Sequence, residues 1–387
     1  KNYKKENKIQ SSDLDKLYES SKQPVWLNRH ELIDNIKNSG RNYNFDKYTD
    51  AQQLTVVSKL LETKNPYHRI ETSRYNGFTS GEATQCRQSA GIAIAFRTNS
   101  NYIGLDVKYT TLSSKLDRGV CGFDLYIRKD GQWIWAWNNV PSKVVKGEFI
   151  TLPLLKSSVQ GWKECLLYLP LQSELAQLQI VTDADSVVEP LEMPFKGRIA
   201  VFGSSFTQGA SAERPGLTYS AQLSRMTGYH FINMGFCGNS KLQPYFADAL
   251  LDAENVDAYV FDAFSNPTVQ QMEERLFPFI EKFQAGKPGI PLIFIKTLYR
   301  EKRNFNPSYD EREQAKMDMA DSLMTIAVKK YPNVYWIETT NTLDGTHEWT
   351  ADGSHPSGYG YHLMAKSLLE PLETIISGCF ASARHDN

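Results

Sequence analysis

The chain of 387 residues is longer than most single-core domains, so two domains are expected. A hydrophobic fraction of 41% and a charged fraction of 22% are typical of globular proteins, and a net charge of −1 argues against nucleic acid or an anionic membrane as a partner. No apolar run approaches the roughly 20 residues of a membrane span, which argues against membrane insertion.

The N-terminal half predicts β-structure. Residues 1–24 begin with scattered lysines and are interpreted as a solvated tail. Residues 25–192 predict an all-β, jelly-roll-like sandwich. Short apolar or alternating runs, at 91–100, 102–110, 122–137 and 148–155, are separated by turn residues, as is typical of such folds. Asp130-Gly131 predicts a hairpin within the third run. The stretch 50–62 has a helical pattern instead and is interpreted as an insertion or a packing arm.

Three tryptophans follow this hairpin turn. Trp133, Trp135 and Trp137 alternate along one strand and are expected to share one face. We interpret that face as core, with a sugar-stacking surface as the alternative. The five cysteines are scattered without the spacing of a zinc site, so no metal is expected, and buried free thiols are at least as well supported as a disulfide.

Residues 193–380 have a different pattern, in which apolar runs alternate with amphipathic stretches. The apolar runs are 197–203, 230–236, 256–264, 291–298 and 333–340, and the amphipathic stretches are 218–228, 242–253, 269–284, 310–331 and 358–376. Continuous apolar runs indicate strands covered on both faces, which predicts a five-stranded parallel sheet in a three-layer α/β/α sandwich of the flavodoxin-like type. Ligand sites of such sheets lie at the carboxyl ends of the strands.

The segment "VFGSSFTQG" (201–209) comes directly after the first of these strands. A serine nucleophile also needs a base, a group that orients the base, and donors for the oxyanion. His355 and Asp352 lie three residues apart in one loop, so a single turn can bring the carboxylate to the imidazole. Asp344 and His347 repeat this spacing, but the Pro-Ser and Gly-Tyr that follow His355 favour the later pair. Histidines on a solvated loop are the alternative for both.

Oxyanion donors are expected after the second and third strands. Gly238 lies in "NMGFCGNS" (233–240) and leaves its backbone N–H open to a substrate, because no side chain obstructs the approach. Asn266 lies in "FDAFSNPT" (261–268) and offers a side-chain amide at the same sheet edge. Each residue alone is typical of an ordinary turn. Their joint position beside the serine turn and the Asp/His loop predicts a hydrolase site.

Taken in order, these blocks resemble the SGNH (GDSL-type) esterase and lipase family. The resemblance implies Ser205 as nucleophile, with its N–H in the oxyanion hole, and assigns the remaining roles to Gly238, Asn266, Asp352 and His355. Two departures are present: Ser204 replaces the aspartate of the family's name motif, and Phe264 replaces a glycine in the third block. Neither position belongs to the implied triad.

Two further segments resemble motifs of a subgroup in which a β-sandwich precedes the hydrolase domain. They are "GFDLY" (122–126), before the nucleophile segment, and "ERPG" (213–216), after it. The family resemblance implies hydrolysis of short acyl esters, including acetyl groups of carbohydrates, without a metal or organic cofactor. The expected partner is a small-molecule or oligosaccharide ester. Export is expected from the resemblance and the Lys1 start, a cytoplasmic location stays open, and the oligomeric state is not predicted.

Several assignments have alternatives at this point. The candidate substrate contacts are Arg214, Phe206 and Asp262, although a surface ion pair explains Arg214 equally well and a structural role is the better explanation of Asp262. A lipase or thioesterase-type acylhydrolase is the alternative enzyme, although no long apolar lid-like segment is visible. A carbohydrate-binding protein with a weak or inactive hydrolase domain is the alternative class.

Overall fold

The computed structural model describes residues 46–111, 116–156, 159–339 and 344–383, with side chains to residue 378. The predicted tail at 1–24 and the first part of the predicted sandwich, 25–45, lie outside the described residues. Within the described ranges, no helix is both long enough and apolar enough to cross a membrane.

The N-terminal half forms two antiparallel sheets. Its strands are β1 (Lys47–Asp50), β2 (Thr55–Val57), β3 (Ala93–Thr98), β4 (Tyr102–Thr111), β5 (Phe123–Lys129), β6 (Gln132–Asn139), β7 (Phe149–Lys156), β8 (Lys163–Tyr168), β9 (Glu174–Thr182) and β10 (Val188–Pro190). One sheet has the order β1-β9-β4-β7, and the other has the order β10-β3-β8-β5-β6 with β2 also pairing with β3. Short helices α1 (Ser80–Cys86) and α2 (Arg118–Cys121) and 3-10 turns at Ala51–Gln53 and Thr72–Arg74 complete this half.

Apolar side chains of both sheets pack into one core, which confirms the sandwich. Buried members include Ile94, Leu105, Phe123, Leu167 and Ile180. The Asp130-Gly131 hairpin is also confirmed, since both residues have positive φ angles, 51° and 79°, as a two-residue turn of type I′ requires.

The helix expected at 50–62 is wrong. Only Ala51–Gln53 forms a 3-10 turn, and Thr55–Val57 is a strand that pairs antiparallel with β3. Three consecutive β-branched residues favour the extended backbone, and a partner strand about 40 positions along the chain supplies the hydrogen bonds. The apolar spacing of this stretch therefore reflects packing on a sheet.

The interpretation of the tryptophan face as core is wrong for Trp135 and Trp137, whereas Trp133 is half-buried and packs against a buried cluster. Ala136 is the residue of β6 that packs against the sandwich core, so the tryptophans on either side of it face outward. Trp135 and Trp137 are 41% and 51% exposed, and their rings are stacked with centroids 5.9 Å apart. Strand β6 lies at the edge of its sheet, and its pairing with β5 shifts register between Trp135 and Trp137, so the three tryptophans do not share one environment.

The C-terminal half confirms the predicted five-stranded parallel sheet. Its strands are β11 (Lys196–Gly203), β12 (Tyr229–Gly235), β13 (Ala258–Asp262), β14 (Leu292–Ile295) and β15 (Val334–Ile337), in the order β12-β11-β13-β14-β15. Its helices are α3 (Ser205–Gln208), α4 (Tyr219–Thr227), α5 (Pro244–Leu251), α6 (Val269–Gly286), α7 (Pro307–Lys330) and α8 (Gly358–Ala383), with 3-10 turns at Pro215–Leu217 and Glu301–Arg303.

Helices cover both faces of this sheet. On one face Phe202, Phe261 and Phe294 pack in a cluster that also contains side chains of α5, α6 and α7. On the other face Val201 and Val260 pack with side chains of α4 and α8. Alternate residues of each strand thus enter two different cores, which is why the central part of each strand is largely apolar.

A segment of the N-terminal half, residues 58–91, contacts the edge strand β12 of the C-terminal sheet. Ser58 donates its N–H to His230 Nε2 over 2.8 Å, and Arg69 Nη1 donates to the Gly235 carbonyl over 2.6 Å. Burial, assisted by Arg198, lowers the pKa of His230 to about 4, so the ring accepts this hydrogen bond as the neutral imidazole. The chain thereby covers a sheet edge that would otherwise be open.

The "GFDLY" and "ERPG" segments bind each other across the two halves. Arg214, a candidate substrate contact, donates to Asp124 Oδ2 over 2.7 Å and to the Tyr126 hydroxyl over 2.6 Å. Asp124 is fully buried and also accepts from the Gly216 N–H and from Trp135 Nε1. Arg214 therefore has a structural role as an ion pair between the two halves.

Candidate active site

The turn after β11 has a geometry that only particular residues allow. Gly203 ends the strand, and a Cβ there would lie 2.2 Å from Thr207 Oγ1 and 2.6 Å from Asp262 Cβ, so a larger residue is excluded. Ser204 is the N-cap of α3, Ser205 is its first residue, and Gly209 ends it with a φ of 100°. This tight turn places Ser205 at the carboxyl end of the central parallel strands.

The structure brings His355 and Asp352 to Ser205. His355 Nε2 lies 3.0 Å from Ser205 Oγ, and His355 Nδ1 lies 2.7 Å from Asp352 Oδ2. The other carboxylate oxygen of Asp352 accepts the N–H groups of Ser354 and His355 at 2.9 and 2.8 Å. Partial burial raises the pKa of Asp352, but these hydrogen bonds outweigh it and lower the pKa to about 2, which keeps the carboxylate ionised beside the imidazole.

The alternative pair does not form. His347 is 68% exposed, and its Nδ1 lies 2.9 Å from Glu301 Oε2. Asp344 instead accepts hydrogen bonds from Thr346 and from the Tyr359 hydroxyl. The same Asp-x-x-His spacing thus produces a contact between its members only at 352–355.

Three groups are candidate oxyanion donors. The Ser205 N–H begins α3 and has no acceptor within the helix. Gly238 has a φ of 71°, and no heavy atom lies within 4 Å of the position where a Cβ would be. Asn266 Oδ1 accepts the Ser240 N–H over 3.2 Å, so the Nδ2 group of the same amide is not used in this bond and points to its other side. Their assignment to an oxyanion hole stays a prediction.

Comparisons with known proteins bear on this site. Residues 196–373 match the GDSL-like lipase/acylhydrolase family, and residues 46–188 match the GxDLY family, the N-terminus of SGNH-hydrolase-type esterases. A GDSL-like lipase from Bacteroides ovatus is similar to the chain with 35% identity and a TM-score of 0.80, over 86% of this chain and 98% of that one. This chain belongs to the GDSL-like lipase/acylhydrolase family.

Two more distant solved structures share the fold of this GDSL-like acylhydrolase. The salicylyl-acyltransferase SsfX3 from a tetracycline biosynthetic pathway has 17% identity and a TM-score of 0.67, over 85% of this chain and 97% of that one. A family two carbohydrate esterase from Cellvibrio japonicus has 10% identity and a TM-score of 0.57, over 86% and 98%. No curated protein sequence matches the chain.

The unusual Ser204 of this GDSL-like protein has a structural explanation. Its Oγ accepts the Phe206 N–H over 3.2 Å and donates to Asp262 Oδ2 over 2.6 Å. Asp262 Oδ2 also accepts the Ser204 N–H and the Thr207 hydroxyl, each over 3.0 Å. Ser204, which stands in place of the motif aspartate, is therefore hydrogen-bonded to a carboxylate of the neighbouring strand β13.

Two candidate substrate contacts are inaccessible to a substrate. Asp262 is 2% exposed, and burial raises its pKa although the bonds from Ser204 and Thr207 oppose this shift. Phe206 is 1% exposed, and its ring packs edge-to-face against His355 with centroids 5.9 Å apart. Asp262 thus holds the nucleophile turn and Phe206 supports the imidazole, because apolar packing restricts the ring orientation.

Sequence reasoning missed a buried cluster behind the Asn266 loop. Arg300 donates to the Ser265 hydroxyl and pairs with Glu313, and Lys316 Nζ donates to the Ser265 carbonyl over 2.6 Å. Burial lowers the pKa of Lys316 to about 8, while Glu313 opposes this shift. These bonds fix the residue before Asn266. No sequence motif marks them, since Arg300 follows β14 and the other two charges lie on α7.

Proposed function

We propose that this protein is a serine esterase that removes short acyl groups, with acetyl esters of carbohydrates as the expected substrate. The observation that carries the proposal is the continuous contact from Ser205 Oγ through His355 to the ionised Asp352, at 3.0 and 2.7 Å. Such a contact is what converts a weakly nucleophilic hydroxyl into an attacking group.

In this mechanism Ser205 Oγ attacks the ester carbonyl carbon while His355 Nε2 takes the hydroxyl proton. Asp352 holds the Nδ1–H and stabilises the imidazolium that forms. The N–H groups of Ser205 and Gly238 and the Asn266 amide bind the oxyanion. His355 then gives the proton to the leaving alcohol, and a water molecule, deprotonated by the same imidazole, hydrolyses the acyl-enzyme.

The acyl preference is tested with p-nitrophenyl esters from acetate to octanoate, followed by acetylated oligosaccharides. We expect kcat/KM to be highest for acetate and to fall at least about tenfold by octanoate, with acetate released from the oligosaccharides. The carbohydrate part is supported by the two-part fold shared with a carbohydrate esterase. An optimum at octanoate would instead identify a lipase, and activity confined to thioesters would identify a thioesterase.

A second candidate function, carbohydrate binding by the sandwich, is favoured by the exposed tryptophans of β6. Trp135 and Trp137 line a cavity of about 1040 Å³ together with Arg118, Asn138 and Lys156. Aromatic faces beside polar donors are suited to sugar rings, which have apolar faces and hydroxyl edges. Binding here is compatible with esterase activity and would hold a polymeric substrate near the enzyme.

Binding is measured by titration calorimetry with acetylated and deacetylated xylo-oligosaccharides, in Ser205→Ala protein so that no substrate is consumed. We expect Trp137→Ala to weaken binding by about tenfold, because stacking of one aromatic ring contributes roughly 0.5–1.5 kcal/mol beyond area burial. Trp162→Ala is the matched control, since Trp162 is equally exposed on the same half but does not line the cavity. Equal affinity in Trp137→Ala and the parent would reject the binding role.

A further inference from the structure

The loop that follows β12, residues 236–240, carries Gly238 and is called the oxyanion loop below. Its two ends are tied to the other parts of the site. The Phe236 N–H donates to the Gly203 carbonyl over 2.8 Å, and the Ser240 N–H donates to Asn266 Oδ1 over 3.2 Å. The ends of the loop are therefore fixed by the nucleophile strand and by the third oxyanion donor.

The middle of the oxyanion loop is held by two glutamine side chains. Gln208, on α3, accepts the Cys237 N–H with Oε1 over 2.8 Å. Gln85, on α1, donates from Nε2 to the Cys237 carbonyl over 2.8 Å and accepts from Asn239 Nδ2 with Oε1 over 3.1 Å. One side chain of the N-terminal half thus binds both residues that flank Gly238.

Gln85 is itself held firmly at the end of α1. Arg69 donates to the carbonyls of Gln85, Gln88 and Gly235 over 2.8, 2.9 and 2.6 Å. The Arg69 guanidinium is buried and lies 4.4 Å from the centroid of the Phe236 ring. This buried arginine, through its three carbonyl contacts, ties the last turn of α1 to the end of β12. The backbone at Gln85 is therefore held in place relative to β12.

Gly238 has no comparable anchor of its own. It has no side chain, its φ is 71°, and open space lies on its Cβ side. The Gly238 N–H belongs to the peptide that joins Cys237 to Gly238, and Gln85 Nε2 binds the carbonyl of that same peptide. The second bond of Gln85 holds the Asn239 side chain on the other side of the glycine. Oxyanion donors act through preorganisation, and a displacement of about 1 Å can cost about a hundredfold in rate.

We propose that Gln85 is a positioning residue that holds the Gly238 N–H in its oxyanion-binding orientation. The N-terminal half is then part of the catalytic unit, although Gln85 touches neither the substrate nor the reacting atoms. The proposal rests on the proposed esterase function, because it assigns the Gly238 N–H to the oxyanion of that reaction.

The test uses Gln85→Met in the full chain, since methionine keeps the length of the side chain and removes both hydrogen bonds. We expect kcat to fall by roughly 10- to 100-fold with KM changed less than about threefold. Affinity for a short alkylboronic acid, whose serine adduct places an oxygen at the oxyanion position, falls with kcat. The pH profile keeps its shape because His355 and Asp352 are untouched. Gln52→Met, at an exposed position on the 3-10 turn, is the control and leaves all values unchanged.

Hydrogen–deuterium exchange provides a measurement that does not depend on turnover. We expect amides of residues 236–240 to exchange at least about tenfold faster in Gln85→Met, while the thermal midpoint stays within a few degrees of the parent. Asn239→Ala removes only the second of the two bonds and gives a smaller change in the same direction, which decides the question if Gln85→Met does not fold.

Unchanged exchange in the oxyanion loop, or a loss of kcat without a loss of boronate affinity, would overturn the proposal. These outcomes differ from a failure of the proposed function. If the parent protein hydrolyses no ester of the panel, the esterase assignment fails, whereas the exchange rates still decide whether Gln85 holds the loop.

Discussion

Replacing Ser205 with alanine should lower kcat for ester hydrolysis by at least about ten-thousandfold. His355 Nε2 lies 3.0 Å from the Ser205 hydroxyl oxygen, whereas the neighbouring hydroxyls of Ser204 and Thr207 donate to Asp262. Removal of a single triad member costs almost as much as removal of the whole triad, because the members act as a unit. The measurement is the steady-state rate with p-nitrophenyl acetate, with thermal unfolding as evidence that the variant folds.

Ser204→Ala is the matched control for this prediction. The Ser204 hydroxyl points to Asp262 and caps the Phe206 N–H, so its loss should destabilise the fold by about 1–3 kcal/mol and reduce kcat by less than about tenfold. The reverse pattern, with activity lost in Ser204→Ala and kept in Ser205→Ala, would move the nucleophile to Ser204. If both variants keep their activity, a serine mechanism at this turn is rejected.

Breaking the ion pair between Asp124 and Arg214, which joins the two halves, is expected to lower the free energy of unfolding substantially. Asp124→Asn removes the charge that faces Arg214 at 2.7 Å in a fully buried position. It leaves the guanidinium uncompensated, and breaking a buried pair in this way costs about 3–5 kcal/mol. The free energy of unfolding from urea denaturation, followed by tryptophan fluorescence and circular dichroism, measures this loss.

An exposed ion pair of the same chemistry provides the comparison. Asp248 pairs with Lys282 on the surface, where both side chains are more than a third accessible. Asp248→Asn should therefore change the free energy of unfolding by no more than about 1 kcal/mol. If Asp124→Asn costs as little as this control, the "GFDLY" motif does not hold the two halves together through its aspartate.

The parallel sheet could be predicted from local sequence because its cause is local. The central residues of the strands β11 to β15 lie between two helical layers, so they form largely apolar runs that stand out from the amphipathic helices around them. Strand β2 could not be found in this way. Its three residues become a strand through pairing with β3, and their apolar spacing is equally compatible with a helix turn.

The face that a strand presents to the core is also a tertiary property. Alternation placed Trp135 and Trp137 on one side of β6, but only the position of the second sheet shows that Ala136 points inward. The roles of Asp262 and Phe206 are similar cases. Their proximity to the nucleophile turn was visible from strand order, whereas their burial under Ser204 and His355 depends on how the layers pack.

By itself, the sequence determined the layer order of the C-terminal half and the identity of the residues at its strand ends, because periodicity and turn residues act over a few positions. Only the tertiary structure decided that His355 rather than His347 contacts Ser205, and that the Ser204 hydroxyl donates to the Asp262 carboxylate. It alone also brought Gln85 to the Gly238 loop. The physical reason is distance along the chain: these contacts join residues about 60 to 150 positions apart, and no local pattern encodes a contact that forms only when distant segments pack together.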